Sequence, residues 1–542
     1  MVYSFTLPTT SHLSFQKFLS SSTHPSLPQA ASTARHALRL ALKAHKHLPR
    51  AQRETHLPTV LAALNNYLPY LFALSHGLSG KPIGNAPSGG SGVGEEVEIT
   101  LRAEIEVEWR PTLTSGSSIL RGVGVYGGST SRVHGRGLDF EIAFTLTTLG
   151  YVLSGIARSG VLRTLYAART PTAEQRTAAV QTATKHLLQA SSVHSFLASS
   201  PSFAALTARK SSRGRGGDRE SSTPSAPAGV VPDLHPATQA ALATLALAEA
   251  TLLAVLKDDA YVTTCIQARN PRDKDWMVRA PEIPKVRALL FARLCVRGAE
   301  YAEQVAAGLG TVGADGRNSA AAEKIDEDLV RYARTLGKVA RARACRFFGV
   351  DAELSGKIGE GIAWLRAAKA VLGFKSSLAG DEEAATKSSK GGLARLKREW
   401  AERREEKKME KEAGSGNTGE KGALEPGDDA GREEEGRVID MLETKWVKMN
   451  DTVSTQLIPA ATGLLSNLPS GRDIHSPPAP YTPPSLDEDD LVRMRAPPEE
   501  DELFSDNDPD SDDETSPAGG KYTPGAFPGS RTLSRAESTS YY

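Results

Sequence analysis

The stretch that most constrains this chain is Ala340–Leu372, where two helical patterns are separated by a short break. In Lys357–Leu372, KIGEGIAWLRAAKAVL, residues Ile358, Ile362, Leu365 and Ala368 or Lys369 recur at helical spacing and Trp364 adds a large apolar surface. That spacing predicts a core helix. The preceding run Ala340–Val350, ARARACRFFGV, has the same periodicity, and Asp351–Gly356 is short enough to turn the chain back on itself. Two antiparallel helices follow. Hairpins of this kind, repeated along an Ala- and Leu-rich chain, predict an all-α solenoid rather than a pocket built for chemistry.

The remaining periodic segments fit that architecture. After a strand-like Tyr3–Leu7, the spacing predicts helices over Ser32–Leu48, with Ser32 or Thr33 as N-cap, and over Leu57–Leu78. Further helices are predicted at Leu138–Ala157, Thr172–Leu197, Pro236–Lys257, Ile283–Ala307 and Ala320–Val350. The period changes once, in Glu95–Trp109, where Val97, Ile99, Leu101, Ala103, Ile105, Val107 and Trp109 alternate strictly with polar residues. This predicts a small β-hairpin near 95–110 laid on the helical body.

Composition divides the chain further. Residues 1–379 form the helical main body, interrupted by a low-complexity loop at 199–232. Residues 380–436 form a charged low-complexity insertion in which Leu393–Glu412 is a charged helix without a wide apolar face. Apolar residues return in 437–484, where Val438, Leu442, Trp446, Met449 and Val453 share a helix face within Val438–Leu468. Residues 485–542 are acidic and Ser-rich and read as a disordered tail, continuing the Pro-rich SPPAPYTPPS of Ser476–Ser485.

The chemical signals are few. With 65 Lys and Arg against 64 Asp and Glu, no global field argues for nucleic acid or an anionic membrane. Cys265, Cys295 and Cys345 lack CxxC spacing and read as buried free thiols of a reducing compartment. The N-terminus has no leader pattern, and a soluble cytoplasmic protein is expected. Two GxGxxG matches, at Gly122–Gly127 and Gly308–Gly313, lack the strand before and helix after that a dinucleotide site needs. No nucleophile elbow, HExxH or P-loop occurs, and His45 and His47 do not share a helix face. The expectation is a protein with no catalytic, cofactor or metal site, and no small-molecule substrate. Basic clusters at Arg209–Arg219 and Lys397–Lys411 leave a membrane-surface role as the alternative.

With these patterns in view, KIGEGIAWLRAA resembles the K-x-G-E-x-I-A-x-L signature of BRO-type domains, the helical modules of Alix-like endosomal adaptors. Trp109 closes a strand where that family has Phe-x-Trp. Leu138-Asp139-Phe140-Glu141 followed by Leu146 resembles its L-x-[FY]-E-K-x-x-x-L-F-N helix, although Ile142, Thr147 and Thr148 depart from it. Leu247–Lys257 looks like the family's L-A-x-A-x-E helix, and Asn450-Asp451 with Pro459 its closing segment. FTLPTTSHLSFQKFL and SPPAPY are most similar to fungal members acting in ambient-pH signalling.

The resemblance implies a boomerang-shaped solenoid with tetratricopeptide-like packing and no catalysis. It also implies an adaptor that binds the C-terminal amphipathic helix of an ESCRT-III core subunit and is recruited peripherally, with indirect membrane association, to plasma-membrane or endosomal sites. There it would help assemble an alkaline-pH signalling complex, with a membrane pH-sensing receptor as a further partner; general endosomal sorting is the other role it admits. The implied docking site is an apolar patch on the convex face, carried by Leu290 and Leu294 one turn apart, with Ala254 where some relatives have an aromatic anchor and Val255 beside it. An exposed leucine pair predicts that Leu294→Asp abolishes binding and spares the melting temperature; ordinary core leucines predict the reverse.

Overall fold

The long helices follow one another in antiparallel order, each packing on the long helix before it. In a computed structural model, the described residues are 2–83, 94–114, 132–167, 171–207, 231–267, 285–312, 325–374 and 429–498. Thirteen α-helices occur among them. Helices α1 (Leu27–His47), α2 (Arg50–Leu78), α3 (Leu138–Leu165) and α4 (Ala173–Ser199) lead through the short α5 (Pro201–Thr207) to α6 (Pro236–Leu256) and α7 (Ala260–Gln267). Then come α8 (Lys285–Thr311), α9 (Glu327–Leu354), α10 (Ile358–Leu372) and α11 (Arg432–Met449), with two small helices, α12 (Ala461–Ser466) and α13 (Glu488–Met494), near the end. Packing runs α1–α2–α3–α4–α6–α8–α9–α10–α11, the nearest-neighbour order of a solenoid.

The α9–α10 hairpin shows why the Lys357–Leu372 pattern is informative. A Cβ at Gly361 would sit 3.1 Å from the Gly349 carbonyl oxygen and 3.3 Å from the Trp446 ring, and one at Gly349 would meet the Gly361 carbonyl oxygen at 3.1 Å. Two glycines facing each other let the helix backbones approach closely, and Trp446 of α11, 2% exposed, closes over the contact. A Cβ at either position would require the facing backbone and the Trp446 ring to give way by a few tenths of an ångström.

The N-terminal third is pinned by a buried carboxylate. Glu141 on α3 accepts from Arg35 Nε at 2.8 Å, Tyr67 Oη at 2.9 Å and Trp109 Nε1 at 2.7 Å. One residue thereby fastens α1, α2 and a strand to α3. Helices α3 and α6 are long and apolar enough to cross a bilayer by length and composition, but 89% and 78% of their apolar windows are buried inside the protein. Their apolarity serves the core. Helix α2 meets the same length and composition test with its window 50% buried.

The strand signal finds partners other than those expected. Residues 95–110 do not form a hairpin: β3 (Ile99–Leu101) pairs with β2 (Leu19–Ser21), whereas β4 (Glu106–Arg110) lies between β1 (Thr9–Thr10) and β5 (Val133–Arg136). The strand breaks after Leu101, where residues 101–104 are all exposed, and each half pairs with a segment distant in sequence. Tyr3–Leu7 is not a strand. Helix α1 begins at Leu27, upstream of the expected caps, and the Ser32 hydroxyl bonds the Pro28 carbonyl from within the helix at 2.7 Å. Thr172 does cap α4, in a capping box with Gln175.

Three expected segment boundaries move. The loop expected at 199–232 contains α5, whose Phe203 is buried, and Val231 and Pro232 are buried at its other end. The insertion expected at 380–436 ends earlier, because Ala430, Glu434, Glu435 and Gly436 lie in the interior. Residues 485–498, expected in the disordered tail, include α13 and place Leu486 and Leu491 in the core at 3% and 2% exposure. The Arg209–Arg219 and Lys397–Lys411 clusters, Leu393–Glu412 and Gly122–Gly127 lie outside the described residues. In the second glycine match, Gly308 and Gly310 are helical residues of α8.

Candidate partner-binding face

Helices α6 and α8 run antiparallel at close range. A Cβ at Gly298 would come within 2.8 Å of Leu252 Cδ2, and one at Gly308 within 3.6 Å of Ala241 Cβ. This register puts Ala254 near the level of Leu294, about one turn from Leu290. Because α8 is wedged between α6 and α9, most of its circumference is covered. Leu294 is 1% exposed and Val255 fully buried, so both are core residues and the leucines at 290 and 294 do not form an exposed pair. Leu290 and Ala254 are half-buried, and the aliphatic surface left open on α8 is Leu289, 45% exposed, beside Leu290.

Further along α8 the outer stripe is polar and occupied. Beyond α11 a five-residue π-helical turn, Asn450–Ser454, ends the helix, and the chain returns across the stack as a largely extended arm. Gln456 Oε1 accepts from the Gly359 amide at 3.1 Å, and α12 packs on α10. On α8 the Arg472 amide bonds the Arg293 carbonyl at 3.1 Å, and Asp473 Oδ1 accepts from Arg297 Nε at 2.7 Å and Tyr301 Oη at 2.6 Å. Those two donors hold the Asp473 carboxyl below its ordinary range. Gly471 passes so close that a Cβ would lie 2.7 Å from the Arg297 backbone. The arm then sets Tyr481 against Phe196 of α4 at 5.5 Å and reaches α1, where Ser26 Oγ bonds the Ala496 carbonyl at 2.5 Å.

Beneath this face lies an ionic hub. Arg346 of α9, fully buried, donates to Asp259 Oδ2 and Glu435 Oε1, both at 2.5 Å, and Arg343 Nε donates to Glu435 Oε2 at 2.9 Å. Asp259 also caps α7 by accepting from the Val262 amide at 3.2 Å. Burial alone would lower the Arg346 guanidinium, but Asp259 and Glu435 raise it above its ordinary value. The hub ties α9 and α11 to the turn after α6. Cys295 stands nearby with its thiol pushed up to about 12, chiefly by burial, which makes it a poor nucleophile.

A second buried acid, Glu249 of α6, accepts from the Tyr3 amide at 2.8 Å and Tyr332 Oη at 3.0 Å. Burial pushes its carboxyl up to about 7. Tyr3 and Tyr332 also line a cleft of about 700 Å³ with Phe5, Leu42, Tyr151 and Arg158. Phe5 stacks on Tyr151 at 4.5 Å across this N-terminal seam. Among the described residues, no group of three or more His, Cys, Asp or Glu is placed to hold a metal ion.

The arginines, tyrosines and acids that pattern reading passed over are therefore structural. The signal for the hub was present in ARARACRFF, since of its three arginines Arg343 and Arg346, three apart among apolar residues, share a helix face and require buried acids. The arm carried a weaker one: Pro478, Tyr481 and Pro484, half-buried at every third position, match the threefold repeat of a polyproline helix.

What these features define is a stacked-helix scaffold whose buried charges fasten one helix to the next and whose chain end crosses the stack. Its sequence is 62% identical over 533 residues to the pH-response regulator protein palC of Emericella nidulans, covering 98% of this chain and 99% of that one. It is also 30% identical over 165 residues to the palC of Cryptococcus neoformans var. neoformans serotype D, covering 30% of this chain and 28% of the relative. The chain belongs to the PalC family of pH-response regulators. No protein-family profile matches it. Similar solved structures include the ALIX BRO1 CHMP4C complex (14% identity, 89% of this chain and 96% of that chain, TM-score 0.46). Another is ALIX in complex with the SIVmac239 PYKEVTEDL late domain (15% identity, 92% and 51%, TM-score 0.47).

Proposed function

We propose that this chain is a non-enzymatic adaptor of ambient-pH signalling. It receives an amphipathic helix of an ESCRT-III core subunit on the α6–α8 face and so helps assemble a membrane-associated complex. That complex leads to proteolytic activation of a pH-responsive transcription factor. Membership of a pH-response regulator family and the BRO-type run at Lys357–Leu365 support the pathway. The observation that carries the docking site is the aliphatic edge of Leu289 and Leu290, left open on α8 next to the Arg293–Tyr301 stretch on which the arm lies. The edge, with half-buried Ala254 near it, takes the place of the 290/294 pair. The protein works in the cytoplasm and reaches membranes through its partners, a receptor complex among them.

Binding of the purified full chain to a peptide of the ESCRT-III C-terminal helix tests this. Leu289→Asp is expected to weaken binding at least about tenfold, as loss of an apolar anchor does, with an unchanged melting temperature. Undiminished binding by both Leu289→Asp and Leu290→Asp would remove this face from consideration.

A further inference from the structure

Charge is distributed very unevenly along this nearly neutral chain. Its first 94 residues contain one acidic residue, Glu54, against eight Lys and Arg. Residues 499–514, EEDELFSDNDPDSDDE, contain ten acidic residues and no Lys or Arg. The basic segment is largely the α1–α2 hairpin. Helix α1 has no acidic residue, and its outer stripe runs His36, Leu40, Lys43 and His47, with Lys46 half-buried beside it and exposed Arg53 donating to the Lys46 and Leu48 carbonyls at 3.0 and 2.9 Å. Leu40 lies within this cationic stripe, 48% exposed.

The described chain ends at the start of α1, the helix that carries that stripe. The Ala496 carbonyl is held by Ser26 and the Met494 carbonyl by the Ser26 amide at 3.2 Å, immediately before α1 begins, and the acidic run starts three residues later. Its reach suffices: sixteen extended residues span up to about 50 Å, whereas the 21 residues of α1 span about 31 Å. The register fits as well. Leu40 lies about 20 Å along α1 from Leu27, and Phe504, of the only apolar pair in the acidic run, is at most about 26 Å of chain from Ala496.

We infer that residues 499–514 fold back along the outer face of α1, their carboxylates against Lys43 and, at the edge where the helix borders the cleft lined by Tyr3 and Tyr332, against Lys46 and Arg53, and Leu503-Phe504 against Leu40. The tail thereby occupies a cationic surface of the protein. Anionic membranes and other acidic partners must compete for it.

The test uses the full chain with Ala44→Cys and Ser505→Cys carrying spin labels. Cys265, Cys295 and Cys345 are buried and leave labelling to the introduced thiols. In about 50 mM salt the distances should cluster below about 30 Å, the span of α1. The cluster should disperse in about 0.5 M salt, where screening shortens to a few ångströms, and in low salt on Lys43→Glu with Lys46→Glu, with the circular dichroism unchanged. A broad, salt-independent distribution would overturn the inference, as would a cluster indifferent to the charge reversal. A broad distribution in low salt, together with sedimentation of the full chain on phosphatidylserine vesicles, would assign the face to anionic lipid instead.

Discussion

Arg346 and Arg297 each hold carboxylates at hydrogen-bond distance, and the two pairs hold the chain in different ways. At Arg346 the guanidinium and both acids, Asp259 and Glu435, are fully buried. At Arg297 the guanidinium is 29% exposed and its partner Asp473 53%. Ions withdrawn from water have no substitute for one another, so loss of one member strands the rest; an exposed pair exchanges its partner for water at little cost. The hub therefore decides whether α7, α9 and α11 assemble, whereas the clasp decides only how firmly the arm lies on α8.

Breaking the hub should have the largest effect. Arg346→Ala leaves two buried carboxylates uncompensated and should cost about 3–5 kcal/mol in chemical denaturation; a loss below about 1 kcal/mol would mean that the acids find other partners. Deleting residues 375–428 behind a flexible linker should leave one cooperative thermal transition. Extending the deletion through Gly436 removes Glu435 and should destabilise about as much as Arg346→Ala.

The two sides of α8 sharpen the contrast between buried and exposed positions. Leu294→Asp places an ion in the core and should cost about 3 kcal/mol or more, while Leu289→Asp, five residues earlier, should leave melting unchanged. Equal effects would put both residues on one surface.

Glu249 is buried as deeply as the hub, but the donors that meet it are a backbone amide and a phenol, and that difference should appear as pH dependence. Its carboxyl is raised from an ordinary 4.5 to about 7. Between those values the folded state binds the proton more tightly than the unfolded chain does, so the stabilising contribution is present below about 4.5 and is lost as pH rises through 7. Glu249→Gln keeps an oxygen for Tyr3 and Tyr332. It should flatten the fall in stability between pH 4.5 and 8 by roughly 3 kcal/mol; an unchanged slope would place the titrating group elsewhere.

The clasp should show the smallest effect. Asp473→Asn should change global stability by less than about 1 kcal/mol yet speed hydrogen exchange at the Gly471 and Arg472 amides. Unchanged exchange there would mean that backbone contacts alone hold the arm.

Helices were legible in this sequence because their period is local. Lys357–Leu372 marked α10 from Ile358, and Pro236–Lys257 marked α6 to within a residue. Strand pairing was not, since Leu101 and Trp109 belong to different sheets whose partners lie up to about 100 residues away. On the candidate face, Leu289, Leu290 and Leu294 are the same residue type within two turns, and only the flanking helices decide which of them meets water. Glu434 and Glu435 read as linker because composition cannot show that Arg343 and Arg346 wait for a carboxylate. The last part of the arm, 485–498, read as tail for a related reason: following an extended Pro-rich segment it has no long helical or strand period, and its anchors are single residues such as Leu486 and Leu491.

A row of helical hairpins in which each touches only its neighbours can lose its end units one at a time, like beads from an unknotted string. Here the arm leaves the last hairpin, runs over α8 and α4 and is fastened to the residue before the first, so the string is tied into a loop. Neither end can fray without lifting a strand that also lies on the middle. Terminal units that would otherwise exchange hydrogen fastest should melt with the centre, and a load applied between the two ends would fall first on the arm.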